Sequence, residues 1–129
     1  MMKIVLDTHV VAWVLADSPR LSSAAREVIA QADDAVVSTV SLFEIAQKVR
    51  IGKWADMEPV VGRLTDELVK QGTRSVPPSA EICILAGQMQ WPHRDPFDRM
   101  IAATALVQDL VLVSADTAFD SLPALRRIW

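Results

Sequence analysis

The chain has 129 residues, of which 51% are hydrophobic and 22% are charged. This composition predicts one folded domain over residues 1–129 and excludes disordered, collagen-like and low-complexity chains. With a net charge of −3, the chain lacks the excess of basic residues that is usual in nucleic-acid-binding proteins, although net charge alone does not exclude that class.

The sequence predicts no membrane span and no disulfide. The longest stretch without Asp, Glu, Lys or Arg is Ile82–His93, twelve residues, whereas a bilayer span needs about 20 apolar residues. The first acid, Asp7, comes too early for the apolar stretch of a signal peptide. The single cysteine, Cys83, lies on an apolar helical face and is expected in the core. We therefore expect a soluble, cytoplasmic protein without a membrane partner.

Strands and helices alternate in the first half of the chain. Short β-branched apolar runs predict buried strands at Lys3–Leu6 and Ala35–Ser38. Apolar residues at helical spacing predict helices over Thr8–Ala16 and Ser22–Ala32. The sequence Ser41-Leu42-Phe43-Glu44 matches an S-x-x-E capping box, which predicts the start of the next helix.

The second half of the chain continues this alternation. Glu58-Pro59 predicts the start of one helix, and Ser79–Met89 has the apolar spacing of another. Asp95-Pro96 places an N-cap acid before an N1 proline, which predicts a further helix start. Three more strands are expected at Ser75–Val76, Leu110–Val113 and Leu125–Trp129.

This order of elements predicts an α/β fold, a three-layer α/β/α sandwich with a central parallel sheet of four or five strands. In open parallel sheets, ligands bind beyond the carboxyl ends of the strands. Four carboxylates from separate segments are expected at that edge, and the strand that ends at Asp7 is expected near the centre. The four acids are Asp7, Glu44, Asp98 and Asp116.

Each of these acids also has a purely structural explanation. Glu44 fits the capping box, or an i,i+4 pair with Lys48. Asp98 suits the positive end of a helix dipole, and Asp116 suits a turn. Asp7 is the hardest to explain in this way, because a charge at the end of a buried strand is costly without a partner.

Four clustered carboxylates would raise one another's pKa values, and a divalent cation removes that conflict. An all-oxygen set of ligands suits Mg²⁺ or Mn²⁺ better than zinc. Such a site polarises a phosphodiester and positions an attacking water. The residues therefore indicate metal-dependent phosphoryl chemistry and leave the substrate open.

Four motifs follow one another along the chain: Ile4-Val5-Leu6-Asp7-Thr8-His9, Ser38-x-x-Ser41-x-x-Glu44-Ile45-Ala46, His93-Arg94-Asp95-Pro96-Phe97-Asp98-Arg99 and Leu112-Val113-Ser114-Ala115-Asp116. In their order and spacing they resemble the PIN-domain family, and more closely its VapC-like toxins of bacterial type II toxin–antitoxin modules. The resemblance covers essentially the whole chain. It implies a Mg²⁺- or Mn²⁺-dependent endoribonuclease that acts on RNA, is inhibited by a cognate antitoxin and forms a homodimer.

The resemblance also assigns the catalytic and metal-binding acids. The family's four acids fall on Asp7, Glu44, Asp98 and Asp116, with Asp95 competing with Asp98 for the third position. The implied attack by a metal-activated water would leave 5′-phosphate and 3′-hydroxyl ends.

Several other residues are candidates for binding RNA or a partner. Lys48, Arg94 and Arg99 flank the acids and are candidate phosphate contacts, although pairing with nearby acids explains each equally well. His93 is a candidate at the same edge, whereas His9 is expected to be structural. The tryptophans are able to stack on bases, although packing is their more common role, and Trp54 is a candidate antitoxin contact.

Two other functions remain open from the sequence. A non-catalytic PIN-like interaction module would keep the fold without turnover. A metal-dependent phosphatase of the haloacid-dehalogenase type, or a response-regulator receiver, would also have an α/β fold with an acidic edge. The first of these needs Asp-x-Asp and the second adjacent acids after the first strand, whereas Thr8 and His9 follow Asp7.

Overall fold

Five parallel strands form one sheet in a computed structural model that describes residues 2–129. The strands are β1 (Lys3–Leu6), β2 (Asp34–Ser38), β3 (Thr73–Val76), β4 (Val111–Val113) and β5 (Arg127–Ile128). Their order across the sheet is β3-β2-β1-β4-β5, and every neighbouring pair is parallel. The predicted parallel sheet with the first strand at its centre is therefore confirmed.

Helices connect these strands and cover the sheet. Within residues 2–129 they are α1 (Thr8–Leu15), α2 (Ser23–Gln31), α3 (Thr39–Arg50), α4 (Leu64–Lys70), α5 (Ala80–Gln88) and α6 (Pro96–Gln108). Short 3₁₀ turns lie at Ala55–Met57, Val61–Arg63 and Thr117–Ser121. Among the described residues, none of these helices has both the length and the apolar character needed to cross a bilayer.

The central strand β1 is buried on both faces. Ile4 and Leu6 belong to one hydrophobic cluster, which includes Val10 of α1. Val5, between them, belongs to a second cluster with Ile101 of α6. Successive side chains of a strand point to opposite faces, so a strand covered on both sides is apolar without alternation. Asp7 directly follows this strand, so its carboxylate lies in buried surroundings and needs hydrogen-bond partners.

The predicted capping box at Ser41 does not form. Helix α3 begins at Thr39, directly after β2, and the Ser38 hydroxyl accepts a hydrogen bond from the Val40 N–H at 3.3 Å. Ser41 is buried inside the first turn, where its Oγ accepts a hydrogen bond from Thr8 Oγ1 at 2.9 Å. Ser41 therefore makes a contact between α3 and α1 and does not start a helix.

The helix expected from Glu58-Pro59 begins later. The chain makes 3₁₀ turns at Ala55–Met57 and Val61–Arg63, and α4 starts only at Leu64. Gly62 has low helix propensity, which disfavours a continuous α-helix through this segment. The result is a shorter helix whose buried residues are Leu64 and Leu68.

Cys83 is exposed, so its predicted core position is wrong. Helix α5 turns Ile82 and Ala86 inward, where they pack with Ala103 of α6. Cys83 follows Ile82 by one residue, and adjacent helical residues do not share a face. Helix α5 therefore has apolar residues beyond the face that it buries.

Candidate active site

Asp7 lies at the carboxyl end of β1 and caps α1. Its Oδ1 accepts a hydrogen bond from the Thr8 N–H, and its Oδ2 accepts one from Ser114 Oγ, each at 2.7 Å. The side chain is buried, with only 6% of the residue exposed. The Asp7 N–H also donates to the Val113 carbonyl of β4 at 3.1 Å. These contacts fix the carboxylate at the junction of two central strands.

Glu44 lies one turn into α3 and is equally buried. Its Oε2 lies 2.9 Å from Lys48 Nζ, so the i,i+4 pair considered from the sequence does form. The same ammonium lies 5.4 Å from the ring centre of Trp54, within the range of a cation–π contact. Lys48 therefore links the buried acid to an aromatic ring.

The start of α6 places two acids beside each other with different roles. Asp95 is the N-cap, and its Oδ1 accepts hydrogen bonds from the Phe97 and Asp98 N–H groups at 2.8 and 3.1 Å. Asp98 is half-buried, and its Oδ2 lies 2.7 Å from His93 Nε2. The capping role therefore belongs to Asp95, and the side chain of Asp98 is held by the preceding loop.

Asp116 follows β4 and begins the 3₁₀ turn at Thr117–Ser121. Its backbone N–H donates to Ser114 Oγ at 3.0 Å, and its Oδ1 accepts from the Ala118 N–H at 2.9 Å. The Ser114 hydroxyl thus contacts both Asp7 and the backbone of Asp116. Among the four predicted acids, Asp116 is the most open to solvent.

One cleft of about 380 Å³ at the carboxyl edge of the sheet brings the predicted acids together. Its position is the one expected for a parallel sheet. It also contains Asp95, so both candidates for the third acid lie in it. The residues that line it are Asp7, His9, Trp13, Glu44, Lys48, Asp95, Asp98, Ala115 and Asp116.

Burial and like charge both act on two of these carboxyls. Desolvation raises the pKa of Asp98 to about 6, and the negative charges of Asp7 and Asp95 act in the same direction against the lowering effect of His93. Desolvation also raises the pKa of Asp7, while its hydrogen bonds from Ser114 and Thr8 oppose the shift. The cleft therefore disfavours the ionised forms of Asp7 and Asp98 unless a cation is present.

The donor set of the cleft suits a hard divalent cation. Its acidic side chains offer carboxylate oxygens, which are the ligands that Mg²⁺ and Mn²⁺ prefer. Within residues 2–129, no three His, Cys, Asp or Glu side chains are arranged around a common point that would hold a metal. Lys48 and His93 contact Glu44 and Asp98 instead. Chelation by several of these acids would therefore require some side chains to rotate, and Glu44 Oε1 and Asp98 Oδ1 are the oxygens that these two contacts leave for a metal.

The three basic candidates differ in what they contact. Lys48 lines the cleft and pairs with Glu44, whereas Arg94 is exposed and directly precedes Asp95, another residue of the cleft. Arg99 turns away and donates to the carbonyls at the end of α5 and in the following loop. Four of its five N–H groups are used in this way. The geometry therefore does not support the predicted phosphate contact of Arg99.

Both histidines and Trp13 contribute more to the cleft than their positions in the sequence indicated. His93 contacts Asp98 directly, although its loop position also suited a solvated residue. His9 and Trp13 line the cleft, whereas the sequence favoured a structural role for His9 and packing as the more common role for Trp13. Their spacing gave a signal, because His9 follows Asp7 by two residues and Trp13 lies one helical turn further along α1.

Residues 4–125 match the family model described as "PIN domain". A protein of Mycobacterium tuberculosis, "Ribonuclease VapC22", is 34% identical to this chain over 121 residues. That alignment covers 94% of this chain and 92% of the relative. The family match therefore includes every residue that lines the cleft, from Asp7 to Asp116.

Solved structures with the same fold come from three further bacteria. DNA-bound VapBC from Salmonella typhimurium has a TM-score of 0.70 at 20% identity and covers 99% of this chain and 98% of that chain. VapBC-1 from nontypeable Haemophilus influenzae has a TM-score of 0.65 at 19% identity, with 98% and 97% covered. FitAcB from Neisseria gonorrhoeae has a TM-score of 0.64 at 17% identity, with 98% and 96% covered. At these identities, the likeness establishes a shared fold.

Proposed function

The chain belongs to the PIN domain family, and on that premise we propose that it is a metal-dependent endoribonuclease and the toxin of a toxin–antitoxin pair. One observation carries the proposal: four carboxylates from four separate segments line a single cleft. The M. tuberculosis relative, which is named a ribonuclease, supports the same activity. Because the chain belongs to this family, we favour this function over a haloacid-dehalogenase-type phosphatase or a response-regulator receiver.

The proposed metal ligands are Asp7, Glu44, Asp98 and Asp116, and the proposed ion is Mg²⁺ or Mn²⁺. Asp98 is favoured over Asp95 as the third ligand for two reasons. One oxygen of Asp95 accepts two backbone hydrogen bonds as the cap of α6. Asp98 is less exposed, and its pKa is raised by burial and by neighbouring acids, a conflict that a cation would relieve.

A divalent ion bound by these acids would supply Lewis-acid activation of a water and of the phosphodiester. The four acids would hold the ion, and His93 orients Asp98 through their 2.7 Å contact. Lys48 and Arg94 are the proposed contacts to flanking phosphates, since Lys48 lines the cleft and the exposed Arg94 directly precedes the cleft residue Asp95. Hydrolysis by water needs no ribose 2′-hydroxyl, so the products carry 5′-phosphate and 3′-hydroxyl ends.

The proposed partners are an antitoxin and a second copy of this chain. The similar structures named above include VapBC complexes, which supports an antitoxin partner. Large apolar side chains remain exposed at Phe43, Ile51, Val69 and Ile84, which favours further contacts with protein. Light scattering at high micromolar concentration tests the homodimer: a dimeric mass supports it and a monomeric mass rejects it.

The activity is tested by incubating RNA with the purified chain in Mn²⁺, in Mg²⁺ and in EDTA. We expect cleavage with a divalent metal, none with EDTA, and products that accept 3′-end ligation. Glu44→Gln should abolish cleavage, whereas Glu81→Gln, a matched change at an exposed position in the first turn of α5, should not. Cleavage that survives EDTA, or 2′,3′-cyclic phosphate ends, would reject the mechanism.

A further inference from the structure

Three aromatic rings from two distant segments meet at one end of the acidic cleft. The ring centre of His9 lies 5.9 Å from that of Trp13 and 5.1 Å from that of Trp54. Trp129 lies behind Trp13, with 5.5 Å between the ring centres. His9 is exposed, and the tryptophans are half-buried, so part of this aromatic cluster faces solvent.

The aromatic cluster is continuous with the acids. His9 and Trp13 line the same cleft as the four carboxylates. Lys48 also links the acids to the aromatic cluster, because its Nζ lies 2.9 Å from Glu44 Oε2 and 5.4 Å from the Trp54 ring centre. A nucleic-acid strand whose phosphate lies at the acids would therefore have a neighbouring nucleotide beside these rings.

Packing accounts for only part of this cluster. Trp13 and Trp54 do rest against the hydrophobic core beneath α1 and α3, yet both retain exposed surface. Trp91 shows what a packed tryptophan is like in this fold: it is 6% exposed and its indole N–H donates to Ser121 Oγ at 2.7 Å. His9 has no comparable burial.

We propose that His9, Trp13 and Trp54 form a stacking surface for an unpaired nucleobase next to the cleaved phosphodiester. The proposal rests on the ribonuclease activity proposed above and deepens it by assigning the residues that would contact a base of the substrate. Aromatic rings stack on any unstacked base, whereas the faces of bases in a duplex are already covered by their neighbours. The acids act on the backbone, and the rings select a strand whose base is free to leave its stack.

The test measures binding without cleavage. The full chain is titrated into a fluorescent five-nucleotide adenosine RNA with Ca²⁺ as the divalent ion, and gels confirm that the strand stays intact. Five further strands each carry one abasic nucleotide, so that every position is probed in turn. The variants are Trp54→Leu, Trp54→Phe, which keeps a ring, and His9→Leu, with circular dichroism and melting curves as checks of folding. Phe43→Leu is the matched control, because Phe43 is an exposed ring outside the cleft.

For the wild-type chain, we expect one abasic position to weaken binding by about tenfold, the size of one base–aromatic stack. Trp54→Leu should weaken binding of the intact strand by a similar factor. For the strand that is abasic at the sensitive position, the same substitution should cause little further loss of affinity. Trp54→Phe and Phe43→Leu should bind as the wild type does. A duplex of the same sequence should bind more weakly than the single strand.

Two results would overturn the stacking surface. One is an equal loss of affinity for intact and abasic strands in Trp54→Leu, which would mean that the ring contributes to binding without contacting a base. The other is unchanged RNA binding in both Trp54→Leu and His9→Leu, which would show that the rings contact no base. If the wild-type chain cleaves RNA but shows no base dependence, the stacking surface alone fails. If it neither binds nor cleaves any strand, the proposed function fails as well.

Discussion

The Ser114 hydroxyl donates a 2.7 Å hydrogen bond to Asp7 Oδ2, joining two buried residues that are 107 positions apart. The same oxygen accepts the Asp116 N–H at 3.0 Å. One hydroxyl therefore holds the central carboxylate and the turn that carries a second acid. This bond favours the ionised form of Asp7, since it lowers a pKa that burial raises.

Replacing Ser114 should weaken metal binding without removing a ligand. In Ser114→Ala, the pKa of Asp7 rises further, so protons compete more strongly with the metal for its carboxylate. We expect Mn²⁺ affinity to fall by about tenfold at pH 6.5 and by less at pH 8, as measured by calorimetry. Ser114→Thr keeps the hydroxyl and should bind as the wild type does. Equal Mn²⁺ affinity in Ser114→Ala and wild type at both pH values would show that this bond does not support the site.

Asp98 should make the metal-free protein less stable as the pH rises. Its pKa is raised from 3.8 to about 6 in the folded state, so folding favours the protonated carboxyl. The stabilisation is fully present below about pH 4 and is lost as the pH rises through about 6. Asp98→Asn stays neutral, so its free energy of unfolding should exceed that of the wild type by about 1–3 kcal/mol at pH 7.5 and match it near pH 4.

Urea denaturation in EDTA at pH 4, 5, 6 and 7.5 measures this difference. Asp95→Asn is the control, because asparagine also caps a helix and the burial that raises the Asp98 pKa remains. It should keep most of the wild-type slope. A constant difference between Asp98→Asn and wild type across these pH values would contradict the role of Asp98 in this dependence.

Arg99 should act on stability rather than on RNA. Its guanidinium donates to the carbonyls of Ala86, Met89, Trp91 and His93 over 2.7–2.9 Å. Arg99→Met leaves these acceptors without their donor and should lower the free energy of unfolding by about 2–4 kcal/mol. Arg99→Lys should rescue little of this loss, because an ammonium does not reproduce the planar set of donors.

RNA binding at several salt concentrations distinguishes the two roles of this arginine. Arg94→Gln should reduce the slope of log affinity against log salt by about 0.7, the value for one contact to a single strand. Arg99→Met, measured where it is folded, should keep the wild-type slope. A stable Arg99→Met with a reduced slope would restore Arg99 as a phosphate contact.

Features set by neighbouring residues were predictable from the sequence. The β-branched run Lys3–Leu6 predicted the central strand, and Asp95-Pro96 predicted the start of α6. The rule that ligands bind beyond the ends of parallel strands then placed acids from separate segments at one edge. The cleft does contain them.

Features that depend on distant contacts were not predictable in the same way. The S-x-x-E pattern at Ser41 is a valid capping box locally, and only the end of β2 at Ser38 and the contact with Thr8 show otherwise. Arg99 has an ordinary helical position, and its role depends on where the loop after α5 passes. The contact of His9 with Trp54 likewise joins segments that the sequence alone does not bring together.

The central claim, that Asp98 acts with Asp7, Glu44 and Asp116 to hold a divalent metal, is tested most directly by calorimetric titration of Mn²⁺ at pH 8. Wild type is compared with Asp98→Asn and Asp95→Asn, which each remove one charge from the same turn of α6. We expect Asp95→Asn to bind as the wild type does and Asp98→Asn to bind at least about tenfold more weakly, because it loses an ionised oxygen ligand. Wild-type Mn²⁺ binding by Asp98→Asn, with binding lost in Asp95→Asn, would contradict the account.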